Sequence, residues 1–169
     1  MSARIFMPLQ AHVKRYLTIQ FGKELYLSEL GVVPFLLYNM LEKHKKGDPS
    51  KIKPSQKLID NKKYFGYPVF IGDKIERTRG LYLSNEKLKI FNDAVDNLIR
   101  DEMYRWCNHP GSIDGKVDFD IVRFRDMYGI TEDELPFDNL KRWYYRERER
   151  LAHRKNEVIT EEPQLTLFY

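Results

Sequence analysis

The stretch from Ser84 to Cys107, SNEKLKIFNDAVDNLIRDEMYRWC, carries the clearest helical period in the chain. Leu88, Phe91, Val95, Leu98, Ile99, Met103 and Trp106 recur at three- and four-residue steps, which lines them along one side of an α-helix. Ser84 is a residue type whose hydroxyl accepts from the free N–H groups of a helix start, and Asn108, Pro110 and Gly111 end the period. The fold is therefore expected to be organised around one long helix over Asn85–Cys107 that buries this stripe.

Working toward the N-terminus, Lys74–Arg79 and Tyr67–Ile71 flank Gly72-Asp73, a pair suited to a tight turn, so a β-hairpin is expected over about 67–79. Pro68 cannot donate to a ladder, which assigns its strand to an edge. Lys45–Lys63, polar and basic with Gly47, Pro49 and Pro54, reads as a surface loop. The segment VVPFLLYNML belongs to a second, largely buried helix ending near His44. Ahead of it, Glu24–Ser28 alternates briefly like a strand. A first helix is expected from Pro8 to about Phe21, stopped by Gly22 and preceded by a short strand over Arg4–Met7.

Toward the C-terminus, DFDIVRFRDMYGITEDELPFDNLKRWYYRERERLAHRK (118–155) holds two further helices. Asp118 or Asp120 suits an N-cap, Ile121, Phe124 and Tyr128 share one face, and Gly129 suits a left-handed stop. Thr131 and Glu134 have capping-box spacing, and Pro136 opens a helix running to about His153. That helix turns Phe137, Leu140, Tyr144 and Leu151 inward and leaves Lys141, Arg142, Arg146, Arg148 and Arg150 elsewhere. Helix, short turn and basic second helix resemble the helix-turn-helix class of DNA-binding proteins. The resemblance implies that Lys141, Arg142, Tyr145, Arg146 and Arg150 contact double-stranded DNA. Lys74, Arg77 and Arg79 of the hairpin read either as a wing on phosphates or as an ordinary solubilising edge strand protected by its charges. Glu147 and Glu149 interleave the arginines, and a solvated charged face is the alternative reading of the same pattern.

The chain ends on Gln164-Leu165-Thr166-Leu167-Phe168-Tyr169 after an acidic stretch. Exposed apolar residues on a mobile end are unfavourable in water unless covered. This peptide resembles the pentapeptide with which bacterial polymerases, repair proteins and some plasmid or transposon proteins dock on the DNA polymerase sliding clamp. By that resemblance Gln164 hydrogen-bonds at the pocket mouth, Leu165 lies in the connecting groove, and Leu167 with Phe168 fills the apolar pocket. The alternative is a tail that completes the chain's own core or a homodimer contact.

Composition narrows the classes. Of 169 residues, 42% are hydrophobic and 14% aromatic, enough for a packed core, and the net charge of +4 favours an anionic partner only modestly. A single cysteine, Cys107, precludes an internal disulfide, and no run is long and apolar enough to span a bilayer, so a cytoplasmic location and no membrane partner are expected. His12, His44, His109 and His153 show no metal-ligand spacing, and no P-loop, GxGxxG or GxSxG occurs. No catalytic residue, metal or cofactor is expected.

The expectation is a mainly α protein with a small β-hairpin, of α+β class. A helical domain spans 1–111, a helix-turn-helix-like segment 112–155, and a flexible docking tail 156–169. Its function is expected to be a non-enzymatic DNA-binding accessory of replication, repair or a mobile element, tethered to a clamp. A helix-turn-helix transcription regulator, or a phage structural or host-takeover interaction protein, is the alternative.

Overall fold

A computed structural model of the protein describes residues 2–43, 64–109 and 116–160. The expected loop over Lys45–Lys63 and the docking peptide from Gln164 lie outside the described residues. Within them the chain is mixed α+β, with six helices and one three-stranded sheet. No helix among the described residues is long and apolar enough to cross a membrane.

The strands are β1 (Ala3–Gln10), β2 (Leu25–Tyr26) and β3 (Tyr64–Ile71), in the order β1-β3-β2. β1 runs antiparallel to β3, with Ala3 opposite Ile71 and Gln10 opposite Tyr64, and β2 lies parallel to β3. The helices are α1 (Ala11–Phe21), α2 (Val32–Met40), α3 (Asp73–Arg79), α4 (Asn85–Cys107), α5 (Val117–Tyr128) and α6 (Phe137–Thr160).

The expected hairpin over 67–79 does not form. Its first strand belongs to β3, but the partner comes from the N-terminus, and its second strand is the helix α3. Gly72 is the residue ahead of that helix, Asp73 and Glu76 occupy the first turn, and Arg77 and Arg79 the last. This charge order favours a helix through its macrodipole. The edge placement of Pro68 also fails, since β3 is the central strand; β2 meets only Val69 and Phe70 and leaves Pro68 outside its short ladder.

Other corrections follow from long-range pairing. Pro8 is a strand residue opposite Gly66, and α1 begins only at Ala11. There the Gln10 amide donates to Asn92 Oδ1 at 2.9 Å, a contact from α4 that anchors the strand-to-helix junction. α2 stops at Met40, short of His44, because the chain turns extended at Leu41 and Glu42 bridges Tyr82. Lys116, not Asp118 or Asp120, is the residue at the N-cap of α5, and its own side chain makes no capping bond.

The long helix is as expected. Ser84 Oγ accepts from the Lys87 amide at 3.2 Å, and Leu88, Phe91, Val95, Ile99 and Met103 are all buried. Each such side chain contributes about 1.5–3 kcal/mol by leaving water. Leu98 is half-buried against this core, and Trp106 lies 37% exposed at the outer end of the stripe. α4 packs against α1, α2, α5, α6 and β1, and one buried cluster runs from Met7 in β1 to Tyr144 in α6. The core is therefore continuous between the sheet end of the molecule and the last two helices.

Candidate nucleic-acid interface

α6 is placed by the eight residues before it. Gly129 closes α5 in the left-handed conformation at φ 60° and ψ 28°, and Ile130 and Leu135 are buried. Two carboxylates then fasten the turn from outside. Glu134 accepts from the Thr131 amide at 3.1 Å and from Arg15 on α1 at 2.8 Å. Glu132 accepts from the Phe137 amide at 3.0 Å and is paired with Arg125 on α5. Half of the expected Thr131–Glu134 capping box is thus present, and its carboxylate also ties the turn to α1. Burial raises the Glu134 carboxyl, but its bonds to Thr131 and Arg15 outweigh this and hold it below the ordinary value of 4.5.

Leu140 and Tyr144 turn into the core, with the Tyr144 hydroxyl bonded to Asn108 Oδ1 at 3.2 Å. Trp143 packs edge-on to Tyr104 of α4, at 6.4 Å between centroids. This docking leaves an open groove of about 1080 Å³ between α4 and the first half of α6. Lys141, Arg142, Tyr145 and Arg146, four of the residues named from sequence, line it together.

Their environments differ. Lys141 is paired with Asp118 of α5 at 2.7 Å, which raises its pKa. Arg142 donates to Asn139 Oδ1 at 2.9 Å and to the Asp138 carbonyl at 3.2 Å, so its guanidinium is steered along the helix. Arg148 lies over the Tyr145 ring at 4.9 Å from the centroid. Arg146 is exposed and has no ion pair among the described residues. Arg150 lies outside the groove lining and is held by Glu147, its Nε at 2.7 Å.

Lys74, Arg77 and Arg79 do not join this surface. All three are on α3, which packs against α2, and none lines the groove. Arg79 stacks over the Tyr38 ring at 4.4 Å from the centroid, while Lys74 and Arg77 are exposed. The wing assignment therefore loses its structural basis, since the second hairpin strand is absent.

Tertiary structure adds residues that sequence reading missed. Asp96, Asn97 and Arg100 of α4 form the opposite wall of the groove, joined by Trp143 from α6. Asp96 accepts from Arg100 Nε at 2.8 Å and is bonded to the buried His12 of α1 at 3.0 Å. Burial pushes the Asp96 carboxyl up, but these two partners prevail and keep it below the carboxylate range. The only sequence signal was that Asp96 and Arg100 stand four apart on the polar flank of α4.

The cationic groups outnumber the carboxylates on the groove lining, with Arg100, Lys141, Arg142 and Arg146 against Asp96 and Asp138. Such a surface can hold phosphates through its guanidinium and ammonium groups and present ring faces to bases. Cys107 is buried, and burial together with the Asp120 carboxylate pushes its thiol up to about 12, far from a reactive thiolate. Among the described residues no group of three or more His, Cys, Asp or Glu side chains is placed to hold a metal ion. Comparison of the chain with protein-family models, curated proteins and solved structures gives no match.

Proposed function

We propose that this protein is a non-enzymatic DNA-binding accessory of replication, repair or a mobile element, tethered to a bacterial DNA polymerase sliding clamp. The observation that carries the DNA part is the convergence of Lys141, Arg142, Tyr145 and Arg146 with Arg100 on one groove. Arg146 is the cation most open to an incoming phosphate, because among the described residues neither an ion pair nor a hydrogen bond engages it, whereas Arg142 is held by Asn139 and the Asp138 carbonyl.

The clamp part rests on Gln164, Leu165, Leu167 and Phe168, whose residue types and order resemble the clamp-docking pentapeptide. Two modest contacts on one chain act together: once the peptide is seated, the groove meets clamp-encircled DNA at high effective concentration. No chemical step is needed for this role.

The test has two arms. Binding to a bacterial sliding clamp is measured for the native chain and for Leu167→Ala/Phe168→Ala, where loss of affinity in the variant supports docking and equal or absent affinity of both removes it. DNA affinity against salt is measured for the native chain and for Arg142→Ala/Arg146→Ala. A shallower salt dependence in the variant supports the groove, and an unchanged slope removes it.

A further inference from the structure

Helix α5 is apolar on both of its sides. Ile121, Phe124 and Tyr128 face the core, yet on the outward side Phe119 is 54%, Val122 43% and Met127 44% exposed. A surface helix with only an inner partner carries polar residues at those outward positions. Clustered exposed apolar side chains instead mark a surface that another molecule covers.

Two charged residues share this outward face. Arg123 lies over the Phe119 ring at 5.6 Å from its centroid, and Asp126 follows three residues later. Neither has an ion pair among the described residues. One cation and one anion beside an apolar strip leave the face without net charge, which disfavours nucleic acid as its occupant.

We infer that a second copy of this chain covers the face, the two α5 helices lying antiparallel about a two-fold axis. Such an axis reverses the order of the residues, so Arg123 of each copy comes within reach of Asp126 of the other. The apolar side chains Phe119, Val122 and Met127 surround that pair of contacts. A patch that is its own complement is what an isologous dimer requires. The strip is small beside the roughly 800 Å² per partner of a standard interface, so the dimer forms with a dissociation constant on the order of micromolar or weaker.

The test is sedimentation equilibrium of the full chain from about 5 to about 500 μM, a span chosen to bracket a micromolar constant. The variants are Val122→Lys, Arg123→Asp, Asp126→Arg and the double charge swap. All three positions are exposed, so unchanged circular dichroism and melting are expected. The native chain should pass from monomer to dimer, each single variant should raise the dissociation constant about tenfold or more, and the double swap should recover most of the loss. A native chain that stays monomeric throughout overturns the inference. So does a dimer whose constant none of the variants changes.

Discussion

The guanidinium Nε of Arg15 on α1 sits 2.8 and 2.9 Å from the two carboxylate oxygens of Glu134, a residue 119 positions away in the turn before α6. The same carboxylate accepts from the Thr131 amide, so one side chain joins the N-terminal helix, the turn and, through the turn, the groove helix.

Replacing Glu134 by Gln keeps the shape and removes the charge. The expected cost is about 1 kcal/mol at neutral pH, since Arg15 is partly solvated. The Glu134 carboxyl is held below 4.5, so its contribution is present above that value and fades as pH falls through the lowered folded-state value. Urea unfolding at neutral pH and at about pH 3 checks this, with the difference between native and variant chains shrinking in acid.

Glu102 is the shared acceptor of two tyrosines: the Tyr16 hydroxyl donates to Oε2 at 2.7 Å, and the Tyr128 hydroxyl donates to Oε1. Glu102→Leu leaves both hydroxyl protons without their acceptor, and Tyr128 keeps only the bond it accepts from Gln20. A loss of about 2–4 kcal/mol is expected in denaturant unfolding. Glu102→Gln, which retains an acceptor, should lose less.

Burial raises the tyrosines themselves, Tyr67 to about 12, and Tyr16 and Tyr128 further with the help of Glu102. A folded-state value above the ordinary 10.0 stabilises the protein fully below pH 10 and is lost as pH rises from there through the folded-state values. Unfolding followed against alkaline pH should therefore show stability falling from about pH 10 upward. In Tyr67→Phe the fall should be shallower.

Gly80 has φ 89°, and a Cβ there would lie 2.3 Å from the Glu42 carbonyl oxygen, beside the Glu42–Tyr82 bridge. Gly80→Ala should cost about 3 kcal/mol or more, because backbone and not a flexible side chain must yield. Gly22 has a similar φ of 85° but no atom within 4 Å of such a Cβ, so Gly22→Ala should cost only about 1 kcal/mol. Melting temperatures of the two variants give the comparison directly.

On the DNA reading, Arg146→Ala should reduce the salt slope of binding by about 1, as loss of one phosphate contact does. Arg150→Ala should change it less, since Glu147 already holds that guanidinium. Slopes in both variants unchanged from the native chain would place the phosphate contacts elsewhere.

By itself the sequence determined the elements whose causes are local. The apolar period and the Ser84 hydroxyl specify α4, Gly22 and Gly129 stop α1 and α5, and the face carried by Ile121, Phe124 and Tyr128 is inward as the spacing requires. Four groove residues were legible for the same reason, because a basic helix displays its charges at helical steps. Only the tertiary structure decided what depends on distant partners. Residues 64–71 pair with 3–10, so the turn at Gly72-Asp73 opens a helix and not a hairpin, which carries Lys74, Arg77 and Arg79 away from the groove. The α4 wall of that groove, with Asp96 and Arg100, exists only because Leu140 and Tyr144 bury α6 against the core. Local patterns fix which way a helix faces; which surfaces meet is set by how the whole chain removes its apolar area from water.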